Sequence, residues 1–269
     1  MKAFLLKLQG IGEILRYFRN PFLVIAMRLG LLRVPLFQYR IAVGPRSYSM
    51  LARPGAISMA DLFVLREVLV EETYRDLLPL LDPGPVRVVD VGGNIGSFSI
   101  WLHQRQGVRE GYCFEPDPTS FNLCRYNLAH NGVGSVQAIP KAMGGLARQI
   151  TMSVDTGRPG ANSIYRAKDD AKGTAQVDVL AFADWLRTIE GDLDVLKLDC
   201  EGAEWEILEH TPAELLRRFR VIIAEIHGDP ASRHAVDDFA RDLSRHGFKT
   251  VRWDGYAQGL YVGQRMKQV

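Results

Sequence analysis

Apolar residues recur at helical spacing at the start of the chain: Phe4, Leu8, Ile11, Leu15 and Phe18 share one stripe, with Lys2, Arg16 and Arg19 off it. Asn20-Pro21 reads as an N-cap followed by a first-turn proline, opening a second short helix that Gly30 and Pro35 close. Weak alternation from Tyr39 to Leu51 predicts a hairpin. Asp61 to Leu78 is helical again and is stopped by Asp82-Pro83-Gly84-Pro85. From residue 86 the period changes. Strands are predicted at Val86 to Val91, Gly111 to Phe114, Ser135 to Ile139, Leu193 to Leu198 and Val221 to Ile226. Helices are predicted at Ser97 to Gln106, Pro118 to His130 (capped by Asp117), Glu204 to Arg218 and Arg233 to His246. This alternation predicts an α/β fold with a doubly wound, mostly parallel sheet covered on both faces. Lys249 to Trp253 and Leu260 to Gly263 have no helix between them and predict an antiparallel hairpin at one edge. Between the third and fourth strands lies an insertion, Met143 to Asp178, with strand-like Gln149 to Val154 and a glycine-rich loop at Gly157 to Gly160.

Composition narrows the class. With 269 residues, 47% hydrophobic and 24% charged, the chain is neither disordered nor collagenous. Cys113, Cys124 and Cys200 form no C-x-x-C pair, so no disulfide framework or zinc knuckle is expected, and a reducing cytoplasm is the expected location. Lys7 and Arg28 interrupt the most apolar runs, so neither a secretory signal nor a membrane span is expected. The net charge of +2 hides an asymmetry: residues 1–50 carry +7 and the remainder −5. The chain therefore divides into a basic helical arm and hairpin, 1–58, and a body, 59–269. Residues 1–35 either pack on the body or on a second copy, or approach anionic lipid on the inner face of a membrane.

In doubly wound sheets, ligands bind beyond the carboxyl ends of the strands. The first strand ends in Asp90-Val-Gly-Gly-Asn-Ile-Gly96, a turn that lets a ligand approach the backbone and aims free N–H groups at an anion. Counting from Gly92, the third position is Asn94, which departs from the dinucleotide pattern G-x-G-x-x-G. The second strand ends in Glu115-Pro116, 25 residues after Asp90, where a carboxylate accepts hydrogen bonds from ribose hydroxyls. The fourth runs into Leu196-Lys-Leu-Asp199-Cys-Glu201-Gly-Ala-Glu204 and the fifth into Glu225-Ile-His227. Carboxylates crowded on one rim repel unless they face a cation. A nucleoside with a fixed positive centre, such as S-adenosylmethionine (SAM), meets that demand.

These motifs, with Arg66-Glu67-Val68 through Tyr74 before them, resemble the FkbM-type SAM-dependent methyltransferases over roughly residues 60–227. Typical members read D-V-G-A-N-I-G, so Gly93 departs slightly, as does Cys200, where Val or Ile is common. The resemblance implies a class I, Rossmann-like methyltransferase fold. Asp90, Gly92, Asn94 and Gly96 would line the methionine end of SAM, Glu115 and Pro116 the ribose, and the stretch up to Ala142 the adenine edge. Asp199 would lie beside the methyl group. Tyr74 would close over the amino-acid end or serve as a buried helix aromatic.

The implied reaction is O-methylation of a hydroxyl on a sugar, glycan or secondary metabolite. His227 is the candidate base, with Asp199 and Glu225 beside it. Glu201 and Glu204 would orient the acceptor, or simply begin the next helix near its positive end. No metal site is expected, although Asp199, Glu201, Glu225 and His227 offer donors for a divalent ion. The alternatives are a nicotinamide-dependent oxidoreductase and a non-catalytic SAM-binding scaffold subunit. Nucleic acid is a disfavoured partner, because the fourth strand lacks the N/D-P-P-aromatic box that serves a flipped adenine.

Overall fold

Two short helices, α1 (Ile11–Tyr17) and α2 (Pro21–Arg28), precede an antiparallel hairpin of β1 (Phe37–Val43) and β2 (Arg46–Ala52). The computed structural model describes residues 10–54, 60–154, 173–227, 236–254 and 258–266; the side chains of residues 153, 154, 173, 227, 236 and 258 also lie outside that description. Phe4, Leu8 and the loop Gly157 to Gly160 fall outside it too. Ile14 and Phe18 of α1 and Val24 and Met27 of α2 are buried against the body, whereas Leu15, on the predicted stripe, is 52% exposed. Asn20 makes no cap bond to α2. Its amide donates to the Gln38 carbonyl (2.8 Å) and accepts from the Arg40 N–H (3.3 Å), tying the helix pair to β1.

The single helix expected from Asp61 to Leu78 is three pieces. α3 (Ala60–Leu65) passes into a π turn (Arg66–Val70), closed by the Glu71 N–H on the Arg66 carbonyl at 2.9 Å. A 3₁₀ stretch (Arg75–Leu80) follows. The break comes at Glu72, whose φ of 54° no helix accommodates.

The body then alternates as predicted: β3 (Val86–Val91), α4 (Ser97–Gln106), β4 (Val108–Phe114), α5 (Pro118–His130) and β5 (Val136–Ile139). Asp117 caps α5, accepting from the Ser120 N–H at 2.7 Å. The insertion forms a separate three-stranded sheet of β6 (Ala142–Gly144), β7 (Arg148–Val154) and β8 (Gly173–Ala181), in the order β6-β8-β7. β8 and α6 (Phe182–Arg187) were not anticipated. β9 (Leu193–Leu198) leads to α7 (Ala203–His210) and α8 (Ala213–Leu216), one predicted helix cut at Pro212. β10 (Phe219–His227), α9 (Val236–Arg245), β11 (Phe248–Trp253) and β12 (Gln258–Arg265) complete the described chain.

The main sheet runs β11-β12-β10-β9-β3-β4-β5. Five neighbours, from β10 to β5, are parallel, and β12 lies antiparallel to both β10 and β11. The expected hairpin is present, with its second strand inserted inside the edge. This is the doubly wound, class I methyltransferase architecture that the motifs implied. Strand order reverses direction between β3 and β9, and the crevice opens beyond their carboxyl ends.

Apolar layers cover both faces of the sheet. One includes Val88, Ile100, Leu123 and Val195 and continues into Ile14, Val24 and Met50 of the N-terminal segment. The other includes Phe182, Leu208, Phe219 and Phe239. Asn127 of α5 and Asn131, the residue that caps its carboxyl end, hold the N-terminal hairpin down. Asn127 bonds both the N–H and the carbonyl of Leu51 (2.7 and 3.0 Å), and Asn131 does the same to Ser49 (3.0 and 2.9 Å). Asn127 Nδ2 also donates to the Ile95 carbonyl in the glycine turn (2.9 Å). Among the described residues no helix is long and apolar enough to cross a membrane.

Candidate functional site

A cavity of about 220 Å³ opens where β3 and β9 part. Its sheet-side wall comes from the turn after β3 and the tips of β4, β9 and β10. Its other wall is one face of α3 and the π turn, Phe63, Val64, Glu67 and Val68, together with Tyr74. Tyr74 packs edge-on against Phe98 at 5.0 Å, and burial pushes its hydroxyl well above the ordinary tyrosine range.

The glycine turn is close-packed against its neighbours. Gly92 has φ 83°, and a Cβ there would stand 1.7 Å from the Asp199 carbonyl oxygen, so only glycine lets the β3 and β9 tips approach this closely. At Gly93 a Cβ would stand 2.1 Å from Cys113 Sγ. The thiol occupies the room that an alanine methyl would take, which explains the departure from D-V-G-A-N-I-G. The expectation of free N–H groups here is overturned for four residues. Those of Gly92 and Gly93 donate to the Phe114 carbonyl, that of Asn94 to Glu115 Oε2 and that of Gly96 to Gly93. What remains is on side chains: Asn94 Oδ1 and Ser97 Oγ are buried in residues lining the cavity and have no hydrogen-bond partner among the described residues.

Glu115 is 8% exposed. One oxygen accepts from the Asn94 N–H and the other from the Asp117 N–H, both at 2.8 Å. Burial outweighs these bonds and pushes its carboxyl up to about 7.

Lys197 corrects the argument from the crowded carboxylates. It is 4% exposed, and its ammonium lies 3.1 Å from Asp199 Oδ2, 3.5 Å from Asp90 Oδ1 and 3.2 Å from the Gly92 carbonyl. Burial pulls its pKa down, but Asp199 and Asp90 overcome this and hold it well above the ordinary lysine value. The acidic rim therefore contains its own cation, and a ligand's charge is not needed to stabilise Asp90 and Asp199.

Tyr74, Gly92, Asn94, Glu115, Pro116, Ala142, Asp199, Glu201 and Glu225 meet around the cavity. Three predicted residues stand behind its wall instead. Asp90 is fully buried, accepting from Ser99 Oγ at 2.7 Å beneath the turn. Gly96, at φ 86°, starts α4 over Cys124. Glu204 is fully buried and accepts from the Cys200 and Gly202 N–H groups at 2.7 and 2.8 Å, so it holds the turn into α7 and does not reach the cavity. His227 ends β10, but its side chain lies outside the described residues. Sequence reasoning missed Lys197 and Glu67. A lysine inside the buried run Leu-Lys-Leu was the signal for the first; for the second there was only its place on the lead-in helix. Among the described residues no three His, Cys, Asp or Glu side chains are grouped to hold a metal ion.

Residues 90–250, more than half of the chain, match the model of the methyltransferase FkbM domain. The chain belongs to the FkbM methyltransferase family. It is a methyltransferase, its cofactor is SAM, and the nicotinamide alternative is set aside. The curated relatives are distant. Methyltransferase sdnD of Sordaria araneosa is 26% identical over 220 residues, covering 71% of this chain and 83% of that one. The 31-O-demethyl-FK506 methyltransferase FkbM of Streptomyces tacrolimicus is 26% identical over 236 residues, covering 77% and 88%. A solved methyltransferase FkbM from Methylobacillus flagellatus superposes with a TM-score of 0.45 at 15% identity, covering 68% of this chain and 45% of that one. That likeness adds nothing to what the sheet order already says.

The methyltransferase site fits SAM. The unpartnered Asn94 Oδ1 and Ser97 Oγ suit the polar amino-acid end, the Glu115 carboxylate suits ribose hydroxyls, and Lys141, Ala142 and Met143 line the cavity where an edge for the base would be needed. The α3 wall and Tyr74 precede residue 90 and stand outside the segment matched by the family model.

Proposed function

We propose that this methyltransferase transfers the methyl group to a hydroxyl of a sugar, a glycan or a secondary metabolite. SAM supplies a methyl carbon already activated by a sulfonium leaving group, so the protein has to align the acceptor and receive its proton. The carrying observation is the set of carboxylates Glu67, Asp199 and Glu225 lining the cavity, since a hydroxyl is a poor nucleophile until it loses its proton. The Streptomyces relative supports the reading: its name assigns it a 31-O-demethyl acceptor. In this reading Glu115 receives the ribose hydroxyls, Asn94 and Ser97 hold the amino-acid end, and Tyr74 shields it from water.

Among hydroxyl acceptors, the N-terminal segment favours a glycan or lipid-linked sugar. Its buried side packs on the body, while Phe22 and Leu31 are 78% and 79% exposed, close in sequence to exposed Arg16, Arg19, Arg33 and Arg40. Apolar side chains interleaved with arginines suit an anionic lipid surface. The protein should float with anionic vesicles at low salt and be released by high salt, and Phe22→Ser with Leu31→Ser should abolish flotation. No flotation at low salt would overturn the membrane contact.

The acceptor is tested by incubating the protein with methyl-labelled SAM and fractionated sugar-nucleotide, glycan and lipid extracts. An alkali-stable methyl ether is expected. Label confined to nitrogen or thiol products would overturn the reading, and SAM binding without transfer to any fraction would return the protein to a scaffold role.

A further inference from the structure

We propose that Glu67 is the catalytic base, taking the proton of the acceptor hydroxyl as its oxygen bonds to the methyl carbon. The inference rests on the hydroxyl-acceptor reading and names a residue for its proton step.

Glu67 faces the cavity from the wall opposite the glycine turn, and it is half-buried. Its neighbours on that wall, Phe63, Val64 and Val68, are apolar, so it is the carboxylate that this helical face presents to the cavity. Its backbone is fixed: the Glu67 carbonyl accepts from both the N–H and the hydroxyl of Thr73, each at 3.2 Å. The π turn that contains it has its own five-residue bond from the Glu71 N–H to the Arg66 carbonyl. Such single π turns are frequent at functional sites.

Two of the neighbouring carboxylates are committed elsewhere. Asp199 is bonded to the buried Lys197 ammonium at 3.1 Å, and Glu115 accepts two backbone N–H groups. No hydrogen bond or ion pair engages the Glu67 carboxylate among the described residues. The charged and titratable groups acting on it are Asp199 and Lys197 at the tip of β9, Glu71 on its own turn and Tyr74 beside it. Glu225 lines the same cavity from β10. Burial raises the Glu67 pKa, Asp199 and Glu71 raise it further, and Lys197 offsets part of the rise. A carboxylate displaced upward is a stronger base than an ordinary one and is still ionised above its raised value.

The step balances. The acceptor O–H bond breaks, its electron pair stays on oxygen, and that oxygen forms the new bond to the methyl carbon in place of the carbon's bond to sulfur. The proton moves to a Glu67 oxygen and leaves from there to solvent, which reaches the half-buried side chain.

The test compares wild type, Glu67→Gln, Glu67→Asp and His227→Ala in the full chain. On cofactor-free protein, side-chain carboxyl NMR should show both Glu115 and Glu67 titrating above the ordinary range, and one of these two signals should vanish in E67Q while that of Glu115 remains. E67Q should bind S-adenosylhomocysteine as wild type does, while kcat falls by about 10²- to 10⁴-fold. The acidic limb of the kcat-pH profile should disappear in E67Q and persist, at lower kcat, in E67D. Unchanged kcat in E67Q, or loss of cofactor affinity equal to the loss of turnover, would overturn the assignment. So would a limb abolished by H227A and retained in E67Q. If wild type forms no O-methyl product from any fraction, the acceptor reading has failed; if wild type turns over and E67Q matches it, only the role of Glu67 has failed.

Discussion

Lys197→Met removes the ammonium while keeping most of the side chain's volume. In the native protein that ammonium stands 3.1 Å from Asp199 and 3.5 Å from Asp90, with Asp90 fully buried. Asp199 keeps 27% of its side chain exposed and can turn to water. Asp90 cannot, and is left with the Ser99 hydroxyl at 2.7 Å and the weak Cys113 thiol at 3.7 Å. Removing one partner of a buried ion pair costs about 3–5 kcal/mol. At roughly 2–4 °C per kcal/mol for a chain of this size, Tm should fall by about 6–20 °C. Because the pKa of Lys197 is raised in the folded state, its contribution is complete below the ordinary lysine value and disappears only as pH rises through the folded one. The gap between wild type and variant should therefore be flat from neutral to mildly alkaline pH. Urea unfolding followed by circular dichroism measures the loss, and Lys197→Met with Asp90→Asn should recover about 1–3 kcal/mol of it. A Lys197→Met protein as stable as wild type, or a double variant no better than the single one, would refute the reasoning.

Glu115 gives a pH test. An acid whose pKa is raised to about 7 in the folded protein contributes stability below its unfolded value and loses it as pH climbs through the folded one. The cofactor-free protein should thus lose up to about 3 kcal/mol between roughly pH 4.5 and 7 relative to Glu115→Gln. Cofactor affinity should move the other way, strengthening through about pH 7 as the ionised carboxylate becomes available to ribose, and pH-independent affinity in calorimetry would contradict it. Gly93→Ala should cost about 1–3 kcal/mol by driving a methyl into Cys113 Sγ, and Cys113→Ala should restore most of it in the double variant. Glu204→Ala should lower Tm through a lost cap worth about 0.5–2 kcal/mol, leaving the acceptor KM unchanged.

The central strands were readable because burial on both faces demands mainly apolar runs: Val86–Val91 has four valines around Arg87 and Asp90, and Leu193–Leu198 has Leu193, Val195, Leu196 and Leu198 around Asp194 and Lys197. Glu115 was readable because the distance from a glycine turn to the next strand tip is set by one βα unit. Residues whose roles depend on packing across elements were not. Glu204 looked like a rim carboxylate until the backbone at Glu201, with φ 56°, turned Glu204 inward onto Cys200 and Gly202. Glu67 belongs to a helix whose docking over the sheet no local spacing encodes. The break at Glu72 was equally hidden, since a non-glycine residue with positive φ carries no compositional mark. The free N–H groups expected at the glycine turn failed for a related reason: Phe114 and Glu115, one strand away, engage those of Gly92, Gly93 and Asn94.

Asn127 and Asn131 belong to the segment that defines the family, yet the groups they bond, Ser49 and Leu51, lie about forty residues before it. A polypeptide trimmed to residues 90–250 would open these amides to water and lose their four hydrogen bonds to the hairpin, each worth about 0.5–1.5 kcal/mol. The hallmark region is thus a signature rather than a severable part. A truncation chosen from the family boundaries would keep the Asn127 bond to the Ile95 carbonyl in the glycine turn but remove the hairpin that holds the same side chain from its other side.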